Sequence, residues 1–312
     1  LLAALRSVGS LSPRVKRNLK REFSRSGLAK LGLVLVTTIL LVAVFAPFVA
    51  PHNPTTQQLD QSQLPPLGFS KTVQTTSSEV VDGEIRLVNQ TETISANATF
   101  PLGTDALGRD MLSRVIYGAR TSLLVGILGT LLAGLIGVPV GLLAGYHRGK
   151  TDDALMRIAD ISLAFPSLVL AIALVGLWGR AAVPILDPFV AAGFAQNMPL
   201  TFTMPGTVIL VVGLVNWVWF ARVARGEALS LREQEYIKAA KALGAKDNNI
   251  ILSHVLPNAI TPILVLGTIQ IAAIILLESA LSFLGFSGTT LSWGFDISQG
   301  RAYITSGQWW IA

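Results

Sequence analysis

Long runs of apolar residues dominate the pattern along this chain, and polar stretches separate them. Residues 31–50 and 121–146 contain no Asp, Glu, Lys or Arg. A bilayer core about 30 Å thick is crossed by a helix of about 20 apolar residues, so each run predicts a membrane-spanning helix. Three further apolar runs are long enough once their flanks are included, at residues 161–178, 205–221 and 255–277.

A sixth span is predicted to open at Trp309 and Trp310, because Trp is enriched where a membrane meets water. The sequence ends at Ala312 and begins at Leu1 rather than Met, so we expect this span to be cut short and the amino terminus to be trimmed. Composition agrees with a membrane protein: 51% of the residues are hydrophobic, 13% are charged and the mean hydropathy is +0.58. Soluble domains carry about 25% charged residues.

The distribution of Lys and Arg predicts the orientation. Residues 1–30 contain eight basic residues and one acidic residue, whereas residues 51–115 contain four basic and seven acidic residues. Because Lys and Arg are enriched in cytoplasmic loops, the amino terminus is predicted to be cytoplasmic. Alternation then places residues 147–157 and 222–254 inside and residues 179–204 outside. The three inside segments hold 17 of the 24 basic residues, so topology explains the net positive charge and nucleic-acid binding is not expected.

These patterns divide the chain into a basic cytoplasmic amino terminus (1–30), a first transmembrane helix (31–50), an external loop (51–115) and a helical core (116–312). Within the loop, Asp82 and Gly83 lie between two short β-prone runs. Asp-Gly favours the type I′ turn of a β-hairpin. The fold class predicted is therefore an all-α membrane protein with a small external β-hairpin insertion.

The second predicted span contains three glycines spaced four residues apart, Gly137, Gly141 and Gly145. This spacing places them on one face of the helix, where a neighbouring backbone can approach closely. We therefore predict that these three residues pack against another helix.

Charged residues near a membrane are candidates for a gate or a transport pathway. Arg157 and Asp160 are three residues apart and are predicted to pair on one helix face, with a purely structural pair or an interfacial anchor as the alternative. Glu278 ends the fifth predicted span and has no obvious partner in the sequence. Trp293 follows it on the external side and completes the set of pathway candidates.

Several kinds of chemistry are excluded or disfavoured. The chain has no Cys, and its three histidines are far apart, so no metal site is expected. Residues 149–151 resemble the end of a P-loop, but the glycine which that motif needs is replaced by Ala144. We expect no catalytic residue, no metal and no cofactor in this chain.

The segment after the fourth predicted span carries the strongest functional signal. Ser230 and Glu233 have capping-box spacing, and good helix formers follow them. Gly244 lies where a left-handed cap would end that helix, and a second short helix is predicted over residues 247–254. This helix–Gly–helix elbow is either an amphipathic surface loop or a docking element for a partner protein.

The elbow resembles the E-A-A-x3-G-x9-I-x-L-P signature of ABC importer permeases. Lys238 replaces the glutamate of that signature, and His254 replaces its isoleucine. Residues 102–122, 157–166 and 278–294 are similar to the C-type permease subunit of the dipeptide, oligopeptide and nickel transporter branch. The resemblance implies a permease core with a cytoplasmic coupling helix at residues 230–247 and, as ATPase-coupling residues, Glu235, Lys238, Ala239, Ala240, Gly244, Ala245, His254, Leu256 and Pro257.

What the resemblance implies is the six-span fold of type I ABC importers in a prokaryotic plasma (inner) membrane. The partners implied are a second, B-type permease, two ATPases that carry ATP and Mg, an extracytoplasmic binding protein and membrane lipid. Di- or oligopeptides are the expected substrates, with nickel or oligosaccharides as alternatives in the same branch. A stand-alone secondary transporter, a channel or an intramembrane enzyme is less well supported, because the spans are nearly free of charge. Residues 59–99 are not covered by the resemblance.

Overall fold

Apolar residues surround the longest helices on all sides, as expected for helices that lie in lipid or in a bundle. The computed structural model describes residues 25–81 and 84–311, without the side chains of residues 75–90. In chain order, its elements are α1 (Gly27–Val44), α2 (Ala46–Val49), β1 (Ser70–Val81), β2 (Glu84–Ser95), α3 (Met111–His147), α4 (Gly149–Ala164), α5 (Ser167–Trp178), β3 (Val183–Leu186), α6 (Pro188–Ala191), β4 (Thr201–Met204), α7 (Gly206–Leu231), α8 (Glu235–Ala242), α9 (Asp247–Ile250), a π-turn (Ile251–Val255), α10 (Leu256–Phe283) and α11 (Trp293–Gly300).

Helices α3, α7 and α10 form the centre of the bundle. One buried apolar cluster, which includes Leu142, Phe220 and Val255, fills the half nearer the elbow. A second cluster, which includes Val125 and Val212, fills the opposite half. We call these two ends of the bundle the elbow end and the hairpin end. Helix α1 lies outside this centre and buries little of its surface.

Among the described residues, four helical segments are long and apolar enough to cross a membrane: α1, α3, α7 and the continuous helix over Asp247–Phe283. A fifth span results if α4 and α5 are counted together, although they are bent by 90° at residues 165–166. The span predicted at residues 161–178 is therefore interrupted by a bend near its start. Pro166 explains the break, because a proline disfavours helical geometry in the residue before it.

The predicted β-hairpin is confirmed and is longer than expected. Strands β1 and β2 pair antiparallel from Ser70 opposite Ser95 to Val81 opposite Glu84. Residues 82–83 lie outside the described residues, so the type I′ turn stays a prediction. A second small hairpin, in which β3 pairs with β4, was not predicted, because its four-residue strands carry too little alternation to distinguish them from a loop.

Distant parts of the chain meet at the hairpin end. The indole of Trp310 donates a hydrogen bond to the carbonyl of Thr104 at 3.3 Å, and the ring of Trp309 packs edge-on against Phe69. Gln308 donates to Gln63 at 3.0 Å. Trp309 and Trp310 belong to a 3-10 turn over Trp309–Ile311, so the sixth span is not among the candidate spans of the described residues and stays a prediction.

Candidate functional site

The helix of the elbow begins later than the sequence predicts. Helix α8 starts at Glu235 and is preceded by Gln234, which gives no side-chain cap. Ser230 lies inside α7, so the predicted capping box with Glu233 is wrong and the helix covers only part of residues 230–247. The apolar residues of α7 continue its helix past the position where Ser230 would cap a new one.

Gly244 ends α8 in a left-handed conformation, with φ of 82°. The N–H of Gly244 donates to the carbonyl of Lys241 at 3.0 Å, and the N–H of Ala245 donates to that of Ala240 at 3.1 Å. This pair of hydrogen bonds is the Schellman motif, which satisfies the last carbonyls of a helix. A residue with a Cβ atom is disfavoured at this φ, so the corner requires glycine.

Apolar side chains fasten the elbow to the bundle. Ile237 of α8 and Ile250 of α9 are buried in the same cluster as Tyr146 of α3 and Ala228 of α7. Their burial removes most of the apolar side of α8 from solvent, and Ala240 and Ala245 pack at its edge. The elbow is thus a rigid part of the bundle surface rather than a loose loop.

Polar contacts fasten the same junction. The hydroxyl of Tyr146 donates to Asp247 at 2.8 Å, and the guanidinium of Arg232 donates to the backbone carbonyl of Tyr146 at 2.6 Å. Arg148 pairs with Glu233 at 2.8 Å, and Lys238 lies 3.7 Å from the same carboxylate. The lysine that departs from the family signature therefore has an acidic neighbour within this chain.

The outer side of the elbow is open. Leu243 is 89% exposed and Tyr236 is 45% exposed, while Ala239 and Lys241 also face solvent. Among the remaining predicted coupling residues, His254 lies 6.5 Å from the ring of Tyr236, Leu256 is half-buried, and Pro257 occupies the first turn of α10. The outer side of the elbow thus presents Leu243 and Tyr236 to solvent beside the basic side chain of Lys241.

The three predicted packing glycines lie where α3 crosses α7. A Cβ atom built at Gly137 lies 2.7 Å from the Cβ of Phe220, and one built at Gly145 lies 2.8 Å from that of Ala228. A Cβ built at Gly141 overlaps the backbone carbonyl oxygen of Ala221. The two backbones are therefore in direct contact along this face.

The predicted pair of Arg157 with Asp160 is wrong. Asp160 pairs instead with Arg222 of α7 at 2.8 Å, and the nearby Asp152 binds Arg225 of α7 through two hydrogen bonds of 2.6 and 2.7 Å. The residues of α4 reach α7 because the bend at Pro166 lays α4 across it, which residue spacing within α4 alone does not indicate. Arg157 itself is exposed.

The other two pathway candidates are held inside the hairpin end. Glu278 is 1% exposed and accepts hydrogen bonds from Ser122 at 3.2 Å and from Ser282 at 2.7 Å. Glu278, for which the sequence shows no obvious partner, thus has two hydrogen-bond donors within the chain. The indole of Trp293 donates to the carbonyl of Val115 at 3.0 Å. Glu278 thus joins α10 to α3, and Trp293 joins α11 to α3.

Sequence reasoning missed two ion pairs at the hairpin end. Arg114 is buried and donates through Nε to Asp296 at 2.9 Å, and burial raises the pKa of Asp296 while the guanidinium opposes that shift. Arg120 pairs with Asp187, and its guanidinium lies 4.3 Å from the centre of the Phe202 ring. In each pair the two residues are far apart in the sequence, 182 and 67 positions, so no local spacing indicates either pair.

Two sequence profiles of known families match parts of the chain. The sequence profile of the family described as binding-protein-dependent transport system inner membrane component matches residues 137–309. The profile of the N-terminal TM domain of oligopeptide transport permease C matches residues 17–66. The inward-facing structure of the MetNI methionine ABC transporter has a TM-score of 0.47 and 19% identity, over 63% of this chain and 83% of that one.

Two curated relatives from Bacillus subtilis (strain 168) match most of the chain. The dipeptide transport system permease protein DppC is 34% identical over 93% of this chain and 75% of its own length. The oligopeptide transport system permease protein OppC is 31% identical over 92% of this chain and 78% of its own length. Since the first family profile covers more than half of the chain and these relatives cover nearly all of it, the protein belongs to the family of binding-protein-dependent transport system inner membrane components, the permeases of ABC importers.

Proposed function

We propose that this permease translocates di- or oligopeptides that an extracytoplasmic binding protein delivers. The names of the relatives, a dipeptide and an oligopeptide permease, support the substrate class. The observation that carries the mechanism is the elbow: it is fixed to the bundle through Ile237 and Ile250 and leaves Leu243 almost fully exposed. Nickel or an oligosaccharide is the alternative cargo of the same branch.

In this proposal, residues 234–255 dock in a cleft of an ATPase on the cytoplasmic side. Leu243, at the corner, supplies the apolar contact, and Lys238 and Lys241 supply positive charge beside it. With the amino terminus in the cytoplasm, α1 crosses outward and α3 crosses back, so the elbow at the end of α3 also lies in the cytoplasm. The basic residues of the predicted inside segments then agree with the positive-inside rule.

Movement of the ATPases reaches the membrane through the junction with α3 and α7. Tyr146 and Asp247 join the elbow to the end of α3, and Arg148 and Glu233 join α3 to the end of α7. A displacement of the elbow therefore moves these helices as one body, because packed elements shift together rather than deform. ATP and Mg bind in the partner subunits and supply the energy of transport.

The remaining partners are a second, B-type permease, a second ATPase and the binding protein. Helix α1 and parts of α10 expose large apolar side chains, such as Leu28 and Leu276, which suits contact with lipid or with the second permease. The binding protein would meet the hairpin end, where the two β-hairpins lie.

The test is to replace Leu243 with Asp and to co-purify the tagged permease with its ATPases. We expect the ATPases to be lost and peptide uptake to stop, while the level of inserted permease stays unchanged. The matched control is Leu59→Asp, because Leu59 is 69% exposed but lies on the external loop. Unchanged recovery of the ATPases with Leu243→Asp would refute the docking role.

A second variant tests the corner itself. Gly244→Val places a β-branched residue at a left-handed φ, which costs about 1–2 kcal/mol and is too little to unfold the bundle. We expect uptake in proteoliposomes to fall to background. Gly226→Val is the control, because a Cβ atom built at Gly226 meets nothing within 4 Å. Normal uptake with Gly244→Val would contradict the coupling mechanism.

A further inference from the structure

A cavity that opens to the surface of the bundle lies between the start of α5 and the helices α7 and α10, with Ile269 61% exposed at its rim. It has a volume of about 330 Å³ and is lined by eight residues of α5, α7 and α10, none of them charged. Most of its wall is apolar, from residues such as Trp219, Leu266 and Leu277, and three side chains are polar: Ser167, Asn216 and Gln270. A mostly apolar pocket with a few convergent polar groups is the usual form of a small-molecule site.

The cavity lies near the middle of the spans. Gln270 is 14 residues from the start of α10 and 13 from its end, about 20 Å from either one at 1.5 Å per residue. Asn216 is ten residues, or about 15 Å, from the start of α7. Polar groups at this depth are costly unless they have partners or line a polar path.

Helix α5 begins at this cavity. Its first residue is Ser167, no side chain caps it, and its first backbone hydrogen bond runs from the N–H of Leu170 to the carbonyl of Pro166 at 3.0 Å. The amide groups of residues 167–169 thus have no acceptor within the helix. Such a helix start is a favourable place for an anion, because its amide groups and the helix dipole point toward it.

Gln270 provides an independent indication of a ligand. It is only 5% exposed, and its amide lines the cavity without a hydrogen-bond partner among the described residues. Asn216 is 7% exposed and uses its amide nitrogen to donate to the carbonyl of Val212 at 2.8 Å. This leaves its carbonyl oxygen available as an acceptor, so the cavity offers both donors and an acceptor.

We infer that this cavity is a subsite for the main chain of a short peptide during its passage. The carboxylate at the end of the peptide would accept hydrogen bonds from the start of α5 and from Gln270. A peptide N–H would donate to Asn216, and small apolar side chains would lie against Trp219 and Leu277. This inference rests on the proposed function, because it assumes that the cargo is a peptide.

The experiment measures weak binding directly. The assembled transporter, in nanodiscs and without its binding protein, is mixed with trialanine or with trialaninamide, which lacks the carboxylate. Saturation-transfer NMR reports which peptide contacts the protein. We expect the free acid to bind roughly tenfold more tightly than the amide, as the loss of charge-assisted hydrogen bonds predicts. Equal binding of the two peptides, or binding of neither, would overturn the inference without any variant.

Variants then locate the subsite. Gln270→Leu is expected to weaken binding of trialanine about tenfold, and Gln270→Glu is expected to abolish the preference for the free acid by repelling its carboxylate. The matched control, Gln299→Leu, changes an exposed residue of α11 and should bind as the unmodified protein does. Unaltered binding by both Gln270 variants would overturn the inference.

Uptake assays on the same preparations separate the two proposals. With the binding protein and ATP present, uptake of trialanine or another short peptide supports the proposed function whether or not the cavity binds it. Peptide uptake combined with unaltered binding in the Gln270 variants overturns the subsite alone. A complete transporter that takes up no peptide overturns the proposed function.

Discussion

The contact between α3 and α7 makes a sharp prediction at Gly141. A Cβ atom added there lies 2.8 Å from the Cβ of Ala224, and it overlaps the backbone carbonyl oxygen of Ala221. Carbon atoms in van der Waals contact are normally about 3.5–4.0 Å apart. Backbone cannot rotate away as a side chain can, so Gly141→Ala must push the two helices apart.

The size of the effect follows from two opposing terms. Replacing Gly by Ala inside a helix is ordinarily stabilising by about 1 kcal/mol, whereas overpacking a tight contact costs about 1–3 kcal/mol. The backbone clash places Gly141 at the upper end of that cost. We therefore expect Gly141→Ala to lower the free energy of unfolding by about 2 kcal/mol.

The assay is unfolding of the purified protein by SDS in mixed micelles, followed by Trp fluorescence. Gly134 is the matched control on the same helix, because a Cβ atom there lies at an ordinary 3.8 Å from the ring of Phe220. Gly134→Ala should leave the stability unchanged or raise it. If the two variants unfold at the same SDS fraction, the close backbone contact between α3 and α7 is not what stabilises the bundle.

Two further substitutions test the ends of the bundle. Arg114→Ala removes the partner of the buried Asp296 carboxylate and should lower the free energy of unfolding by about 3–5 kcal/mol. Adding Asp296→Asn should restore part of that loss. If it restores none, the ion pair has no role in stability. Ile237→Ala leaves a cavity beneath the elbow and should cost about 2–4 kcal/mol. It should also weaken recovery of the ATPases, whereas the same stability as the unmodified protein would show that α8 is not held by this side chain.

The spans that form α1, α3, α7 and α10, together with the first hairpin, were predictable because each rests on a local pattern. An uncharged run of about 20 or more residues predicts a helix that spans the bilayer. Asp82-Gly83 between two β-prone runs predicts a hairpin. Gly244 was predictable for the same reason, since the helix before it and the need for a left-handed residue are both visible nearby in the sequence.

The errors arise where tertiary contacts override local spacing. Arg157 and Asp160 share a helix face, yet the bend at Pro166 brings Asp160 to Arg222 of another helix. Ser230 has the spacing of a capping residue, but the packing of α7 extends its helix through that position. The cavity at Gln270 combines residues from three helices, so no single stretch of sequence indicates it.

The hydrogen bond between Gln63 and Gln308 joins residues 245 positions apart, and Arg114 meets Asp296 across 182 positions. The loop between α2 and α3 is therefore synthesised long before the residues that complete its packing. During biogenesis the early spans must enter the membrane with Arg114 still lacking its carboxylate partner, and closing such distant contacts is a slow step in folding. The order of synthesis thus makes the hairpin end of the bundle late to mature, because its packing waits for residues 296–308.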